Sequence, residues 1–144
     1  MQNDRSITLE YFSKRLADLC IKSGLQDLPK DVTDQHILLK SAILMVGQPG
    51  SSFSEKEVNE RLELWFLEVG QIKFLDPVTM RRTLVDRGYL TRSKDGSSYQ
   101  ISHPGSSTVL FDEEIERLDV AQVIATAREE IARRKREYME KSKK

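Results

Sequence analysis

The residues of this chain that could do chemistry are mainly basic, and they are concentrated in one segment near its middle. Residues 77–103 hold five arginine or lysine residues against two aspartates, a net charge of +3 in a chain whose total charge is zero. Arginine and lysine bind phosphate, and threonine hydroxyls can bind phosphate or base edges. The segment therefore predicts contacts with double-stranded DNA. The residues expected to make them are Thr79, Arg82, Thr83, Arg87, Arg92 and Lys94.

Helical periodicity separates the two neighbouring arginines of this segment. At about 100° per residue, Arg82 falls opposite the apolar side of a helix, whereas Arg81 falls at the edge of that side. We therefore expect Arg82 to enter a DNA groove and Arg81 to form a structural ion pair. The acceptor expected for Arg81 is Glu57, Glu60 or Asp76. Asp86 lies on the same side as Arg82 and should repel phosphate unless these two residues pair.

Two helices are expected to position these side chains, because capping residues specify their ends. Ser54 can cap the first helix, and Glu57 completes a capping box with it. Asp76 can cap the second helix, with Pro77 at its first position. Gly88 can end this second helix in the left-handed conformation.

A β-hairpin is expected after the second helix. Residues 89–93 and 98–102 are short runs typical of strands, and the turn between them holds Asp95-Gly96, a pair that hairpins favour. The predicted fold class is mainly α with a small β-hairpin, a winged helix-turn-helix core flanked by N- and C-terminal helices. In that layout one helix enters a DNA groove and the hairpin contacts the backbone beside it.

Four strings within residues 25–103 resemble a bacterial family catalogued only as a domain of unknown function. They are Leu28-Pro29-Lys30, Phe53-Ser-Glu-Lys-Glu-Val-Asn59, Met80-Arg-Arg-Thr-Leu-Val-Asp-Arg-Gly88 and Arg92…Asp95-Gly96…Tyr99. Met80 stands where the family usually has leucine, which conserves volume. The resemblance implies a winged-helix fold, and it implies transcription regulation because some members are fused to regulators or described as regulators. Asn59 in the second string is expected to hydrogen-bond a neighbouring loop.

The flanking segments are expected to be helical. A helix over residues 6–23 and a connector over 25–33 precede a core helix, which Thr33 or Asp34 caps and which ends at Val46. Another long helix is expected from Asp112 onward. We divide the chain into residues 1–33, a winged-helix domain at 34–103 and a C-terminal helix at 104–144. A homodimer is expected through both terminal helices. Its predicted contacts are Ile124, Ile131 and Tyr138.

The composition argues against several other classes of protein. No apolar run approaches the roughly 20 residues of a membrane span, and residues 1–5 lack the pattern of a secretory signal, so a cytoplasmic protein is expected. A single cysteine and two distant histidines, His36 and His103, predict neither a disulfide framework nor a zinc cluster. No Gly-rich phosphate loop or catalytic ordering occurs, so we expect no enzymatic activity, no metal and no cofactor.

The first of the two helices is acidic, which does not favour contact with DNA phosphates and leaves a second function open. Residues 54–76 carry six acids and three bases, although this helix would cross the DNA backbone. The competing hypothesis is a winged-helix module that binds a partner protein without binding DNA. The basic run Arg133-Arg-Lys-Arg136 also has two interpretations, an extension of the DNA contact or a solvated helix end.

Overall fold

A computed structural model describes residues 6–22, 24–102 and 109–142 of the chain. In order, these form β1 (Ser6–Ile7), α1 (Leu9–Ala17), α2 (Val32–Val46), β2 (Ser52–Phe53), α3 (Glu55–Glu68), α4 (Pro77–Asp86), β3 (Leu90–Arg92), β4 (Tyr99–Ile101), β5 (Leu110–Phe111) and α5 (Val120–Ser142). The protein is mainly helical with a small antiparallel sheet of three strands. Residues 1–5, His103 and the predicted domain boundary at 103–104 lie outside the described residues.

The helix α2 is the centre of the hydrophobic core, as its almost continuous apolar sequence predicts. Ten of its residues are buried, and it contacts α1, α3 and α5. The expected cap at Thr33 or Asp34 is wrong, because the Asp31 side chain accepts the backbone N–H of Asp34 and starts the helix at Val32. Asp34 lies in the first turn instead, where its two carboxylate oxygens each accept a hydrogen bond of 2.8 Å from Arg15.

The three-stranded sheet has the order β2-β4-β3, with both pairs antiparallel. The strands β3 and β4 are the predicted hairpin, and Arg92 pairs with Tyr99 next to its turn. The strand β2 was not expected from the sequence. Its two residues pair with β4, so that the short segment between α2 and α3 ties the hairpin to the helical core.

The segments before α1 and before α5 differ from the sequence expectation because they pair with each other. Residues 6–7 and 110–111 form the parallel strands β1 and β5, and α1 therefore begins at Leu9 and continues as a π-helical turn at Asp18–Lys22. The long C-terminal helix begins at Val120 rather than near Asp112. A 3-10 helix at Glu113–Arg117 precedes it and buries Ile115 completely.

Candidate nucleic-acid interface

The helix α4 buries one side and exposes the other, as helical periodicity predicts. The Asp76 side chain caps it by accepting the backbone N–H of Thr79 at 2.7 Å, and this hydrogen bond holds the pKa of Asp76 below its usual value. Pro77 occupies the first turn, and Gly88 follows the helix with a φ of 85°. Met80, Arg81 and Leu84 are buried. Thr79, Arg82, Asp86 and Arg87 are exposed, and Thr83 is half-buried.

Thr83 has less freedom to bind DNA than the sequence suggests. Its hydroxyl donates to the backbone carbonyl of Thr79 at 2.9 Å, four residues earlier on the same helix. Ser and Thr side chains often make this bond within helices, and it occupies the only proton of the hydroxyl. Thr83 can still accept a hydrogen bond, whereas the exposed Thr79 hydroxyl keeps both capacities.

Arg81 is a structural residue, as expected, but its predicted acceptors are wrong. Its guanidinium donates to Asn59 Oδ1 at 2.6 Å, lies 3.7 Å from a Glu55 carboxylate oxygen and stacks 5.8 Å from the ring centre of Tyr99. The Tyr99 hydroxyl donates to the same Glu55 carboxylate at 3.2 Å. This cluster joins α3, α4 and β4, so Asn59 bonds a neighbouring helix and not a loop.

The capping interactions explain why two of the expected carboxylates do not reach Arg81. Glu57 accepts the backbone N–H of Ser54 at 2.9 Å in the capping box, and Asp76 caps α4. Both carboxylates are therefore held at helix ends by backbone donors. Glu55, the first residue of α3, caps no helix end, and its carboxylate accepts the Tyr99 hydroxyl of the hairpin instead. The capping pattern in the sequence could have excluded Glu57 and Asp76 in advance.

The hairpin turn carries the carboxylate of Asp95 beside the basic residues Arg92 and Lys94. The Asp95 carboxylate accepts hydrogen bonds from the backbone N–H of Ser97 and from the hydroxyls of Ser97 and Ser93, which lower the pKa of Asp95 to about 2. Lys94 beside it is exposed. The guanidinium of Arg92 covers Gly96, whose φ of 75° is the left-handed conformation that the turn requires.

Arg82 of α4 and Arg92 of the hairpin line the same cleft, which has a volume of about 480 Å³. Arg81 forms its floor, and the carboxylates of Glu55 and Asp86 also line it. Three guanidinium groups against two carboxylates leave a formal charge of +1. The structure thus brings together two of the six predicted DNA-contacting residues at one place, and the other four do not line this cleft. They are Thr79, Thr83, Arg87 and Lys94.

Asp86 forms no ion pair with any residue that the structure describes. Among the described residues, no ion pair within 4.0 Å joins Asp86 to Arg82, although the two lie four positions apart on α4. The carboxylate therefore opposes the approach of phosphate to the cleft. This is the strongest feature of the surface against DNA binding.

Arg87 is the C-cap residue of α4 and lies near the buried pair of His36 and Tyr89. The His36 imidazole Nδ1 and the Tyr89 hydroxyl lie 2.7 Å apart and connect α2 to the segment between α4 and β3. Burial lowers the pKa of His36, and the charge of Arg87 lowers it further. Burial also raises the pKa of Tyr89. Burial and the charge of Arg87 both favour the neutral imidazole of His36, which holds the end of α4 through Tyr89.

The predicted dimer residues on α5 have different environments. Ile124 is completely buried in the core of its own chain, so it is unavailable to a second copy. Ile131 and Tyr138 are 39% and 73% exposed. The basic end of α5 is exposed as well, and Arg134 donates to Glu130, one turn earlier on the helix, at 2.7 Å.

A family profile matches residues 24–101, more than half of the chain, and is described as an uncharacterized protein conserved in bacteria (DUF2087). The chain belongs to the DUF2087 family. Searches of curated proteins and of solved structures returned no match. The DUF2087 region contains α2 to β4, and therefore every predicted DNA-contacting residue. The dimer residues on α5 lie outside it.

Two further findings bear on the kind of site. Among the described residues, no three or more His, Cys, Asp or Glu side chains are placed to hold a metal ion. None of the described helices combines the length and the apolar character needed to cross a membrane.

Proposed function

We propose that this DUF2087 protein is a winged-helix protein that binds double-stranded DNA through α4 and the β3–β4 hairpin, and that it regulates transcription. The element order α2, β2, α3, α4, β3, β4 and the sheet order β2-β4-β3 support the winged-helix arrangement. In this proposal Arg82, Thr79 and Thr83 enter the major groove. Arg87, Arg92 and Lys94 hold phosphates on either side.

The shared cleft of Arg82 and Arg92 is the observation that carries the proposal. It places a guanidinium from the reading helix beside one from the hairpin, so a single DNA backbone could contact both elements. Arg81 supports this geometry from below, because its bonds to Asn59 and Glu55 fix the distance between α3 and α4. A preformed arrangement of this kind lowers the ordering cost of binding.

A gel mobility-shift assay on genomic fragments, followed by fluorescence anisotropy on the selected fragment, tests the proposal. The affinity should fall steeply with salt, with a log–log slope of about −0.9 for each phosphate contacted. The variant Arg82→Ala with Lys94→Ala should bind much more weakly. The matched control is Lys30→Ala with Lys73→Ala, which removes the same charge from exposed positions outside α4 and the hairpin. Equal affinity of both double variants would contradict the site.

The second candidate function is protein binding without DNA, and one observation favours it. Leu64 and Leu67 on α3 are 46% and 69% exposed and lie among the glutamates of that helix. Exposed apolar side chains within a charged rim are typical of protein-interaction surfaces. If no genomic fragment is bound at low salt, this function is preferred.

We also propose that the protein is a homodimer in which Ile131 and Tyr138 of α5 lie at the interface. Their exposure leaves both residues free to contact a second copy. A dimer would present two copies of α4 to two half-sites on the DNA.

A further inference from the structure

The outer side of α3 is an apolar and acidic face. At about 100° per residue, Glu60, Glu63, Leu64 and Leu67 fall within one arc of the helix, and all four are exposed. We call these four residues the acidic α3 face; the exposed Lys56 lies on the same arc one turn before Glu60. Neither glutamate forms an ion pair with any residue that the structure describes.

A groove of about 690 Å³ adjoins this face, where the end of α3 meets the connector to α4. Its apolar lining includes Leu25, Phe66, Leu67, Ile72 and Leu75, and Glu63 and Asp76 are among its acids. Lys73 is the one base among the described residues that line it. The groove is therefore suited to a large apolar side chain that arrives with positive charge beside it.

The outer half of α5 carries the opposite combination. Residues 131–142 are all exposed and correspond to roughly 18 Å of helix. Ile131 and Arg134 at its start line a groove shared with Ser13 and Lys14 of α1. On one side of this segment lie Arg128, Ile131, Lys135, Tyr138 and Met139, which we call the basic α5 face. Ile131, Tyr138 and Met139 are 39%, 73% and 53% exposed. The four acids of this part of α5 lie on its other sides. They are Glu129, Glu130, Glu137 and Glu140.

We infer that the basic α5 face of one copy docks on the acidic α3 face of a second copy, and that the exchange is reciprocal. The inference rests on the homodimer proposed above and gives that dimer its interface. Each face is apolar at its centre, and two bases on one meet two glutamates on the other. Apolar burial supplies the affinity, whereas the opposite charges select the partner and its orientation.

Within one chain the two faces come together at Arg128 and Leu67, whereas Lys135, Tyr138 and Met139 lie further along α5. The first turns of α5 pack beside the end of α3, where Ala121, Ala125 and Arg128 surround the same small cleft as Leu67 and Glu68. The helix α5 is continuous from Val120 to Ser142, so its outer half leads away from this point and does not return. A second copy can supply the missing contact. Reciprocal exchange uses both faces of both copies and closes the assembly, whereas one-way docking would build an open chain.

Charge reversal of each face, measured by light scattering on the full chain at micromolar concentration without DNA, tests the inference. The first variant is Glu60→Lys with Glu63→Lys, and the second is Arg128→Glu with Lys135→Glu. All four positions are exposed, so circular dichroism should show an unchanged fold. The wild type should have twice the chain mass of 16.6 kDa. Each variant alone should be monomeric, with dimerisation weakened roughly 100-fold or more because like charges meet.

The mixture of the two variants is the decisive measurement. In a mixed dimer one contact joins reversed α3 to reversed α5 and the other joins the two unchanged faces, so both contacts are complementary. An equimolar mixture should therefore regain the dimer mass. A control, Glu129→Lys with Glu140→Lys, changes the charge of α5 away from the basic α5 face and should remain dimeric.

Three results would overturn the inference: a monomeric wild type, a dimeric charge-reversal variant, or a mixture that stays monomeric. In the first case the acidic α3 face is left for another protein. Since the assay contains no DNA, a dimer that fails to bind DNA would contradict only the proposed DNA-binding function.

Discussion

The two neighbouring arginines of α4 should respond in opposite ways to the same substitution. Arg81→Ala removes a charge-assisted hydrogen bond of 2.6 Å to Asn59, an ion pair with Glu55 and a stacking contact with Tyr99. A hydrogen bond to a charged group contributes about 1.5–3 kcal/mol. Because Arg81 is buried, the Asn59 Oδ1 atom also loses its hydrogen-bond donor without regaining full hydration. We expect the free energy of unfolding to fall by about 2–3 kcal/mol and the Tm by roughly 6–10 °C.

Arg82→Ala should instead leave stability unchanged within about 0.5 kcal/mol, because the side chain is exposed. Its DNA affinity should fall roughly 10-fold or more, the loss expected for one base contact. Urea denaturation measures the first effect and fluorescence anisotropy the second. Arg81→Lys separates the charge of Arg81 from its shape, because lysine cannot replace the guanidinium fork. A stable Arg81→Ala variant, or an Arg82→Ala variant that loses more than 1 kcal/mol, would show that the roles assigned to these residues are wrong.

Three further outcomes are expected from single residues. Asp86→Asn removes the acid beside Arg82, so DNA binding should tighten roughly two- to tenfold. Urea denaturation should show no loss of stability, because an acid in the last turn of a helix opposes the helix dipole. Because the pKa of Asp95 is lowered by folding, its contribution to stability is complete above the unfolded pKa of 3.8 and is lost as pH falls toward about 2. Asp95→Asn should remove this part of the dependence of stability on pH. An unchanged curve of unfolding free energy against pH would contradict the turn geometry. Tyr89→Phe leaves the buried His36 nitrogen without its partner and should cost about 1–3 kcal/mol in urea denaturation.

Local sequence predicted well those elements whose ends are fixed by hydrogen bonds between residues close together in the chain. Ser54 with Glu57, and Asp76 with Pro77, fix the starts of α3 and α4 through bonds that span three residues. The Asp95-Gly96 turn fixes the hairpin in the same way. These signals depend on short-range geometry, so the rest of the fold has little effect on them.

The errors occur where distant parts of the chain meet. The segment at 110–119 is not part of the long α-helix, because β5 pairs with β1 and the 3-10 helix at Glu113–Arg117 buries Ile115 in the core. The residue pattern of neither segment predicts that it pairs with a strand about 100 residues away. The partners of Arg81 were missed for a related reason. Periodicity gives the direction in which a side chain points along its own helix, but it does not tell which residue of the neighbouring helix lies there.

The two proposals make a joint prediction, because the number of subunits on the DNA sets the number of phosphates contacted. If each copy of α4 and its hairpin holds the phosphates of one half-site, a dimer contacts twice as many phosphates as a monomer. The variant Arg128→Glu with Lys135→Glu, which should be monomeric, is therefore expected to show about half the salt slope of the wild type. These substitutions also remove basic charge, so the loss of slope needs a control with the same charges.

The mixed dimer provides that control. It combines Arg128→Glu with Lys135→Glu on one copy and Glu60→Lys with Glu63→Lys on the other, so its net charge equals that of two wild-type chains. If the dimer delivers two reading helices to the DNA, the mixture should recover the full slope. A slope that stays halved in a mixture of dimer mass would mean that only one α4 reaches the DNA, and that the dimer serves a purpose other than binding two half-sites.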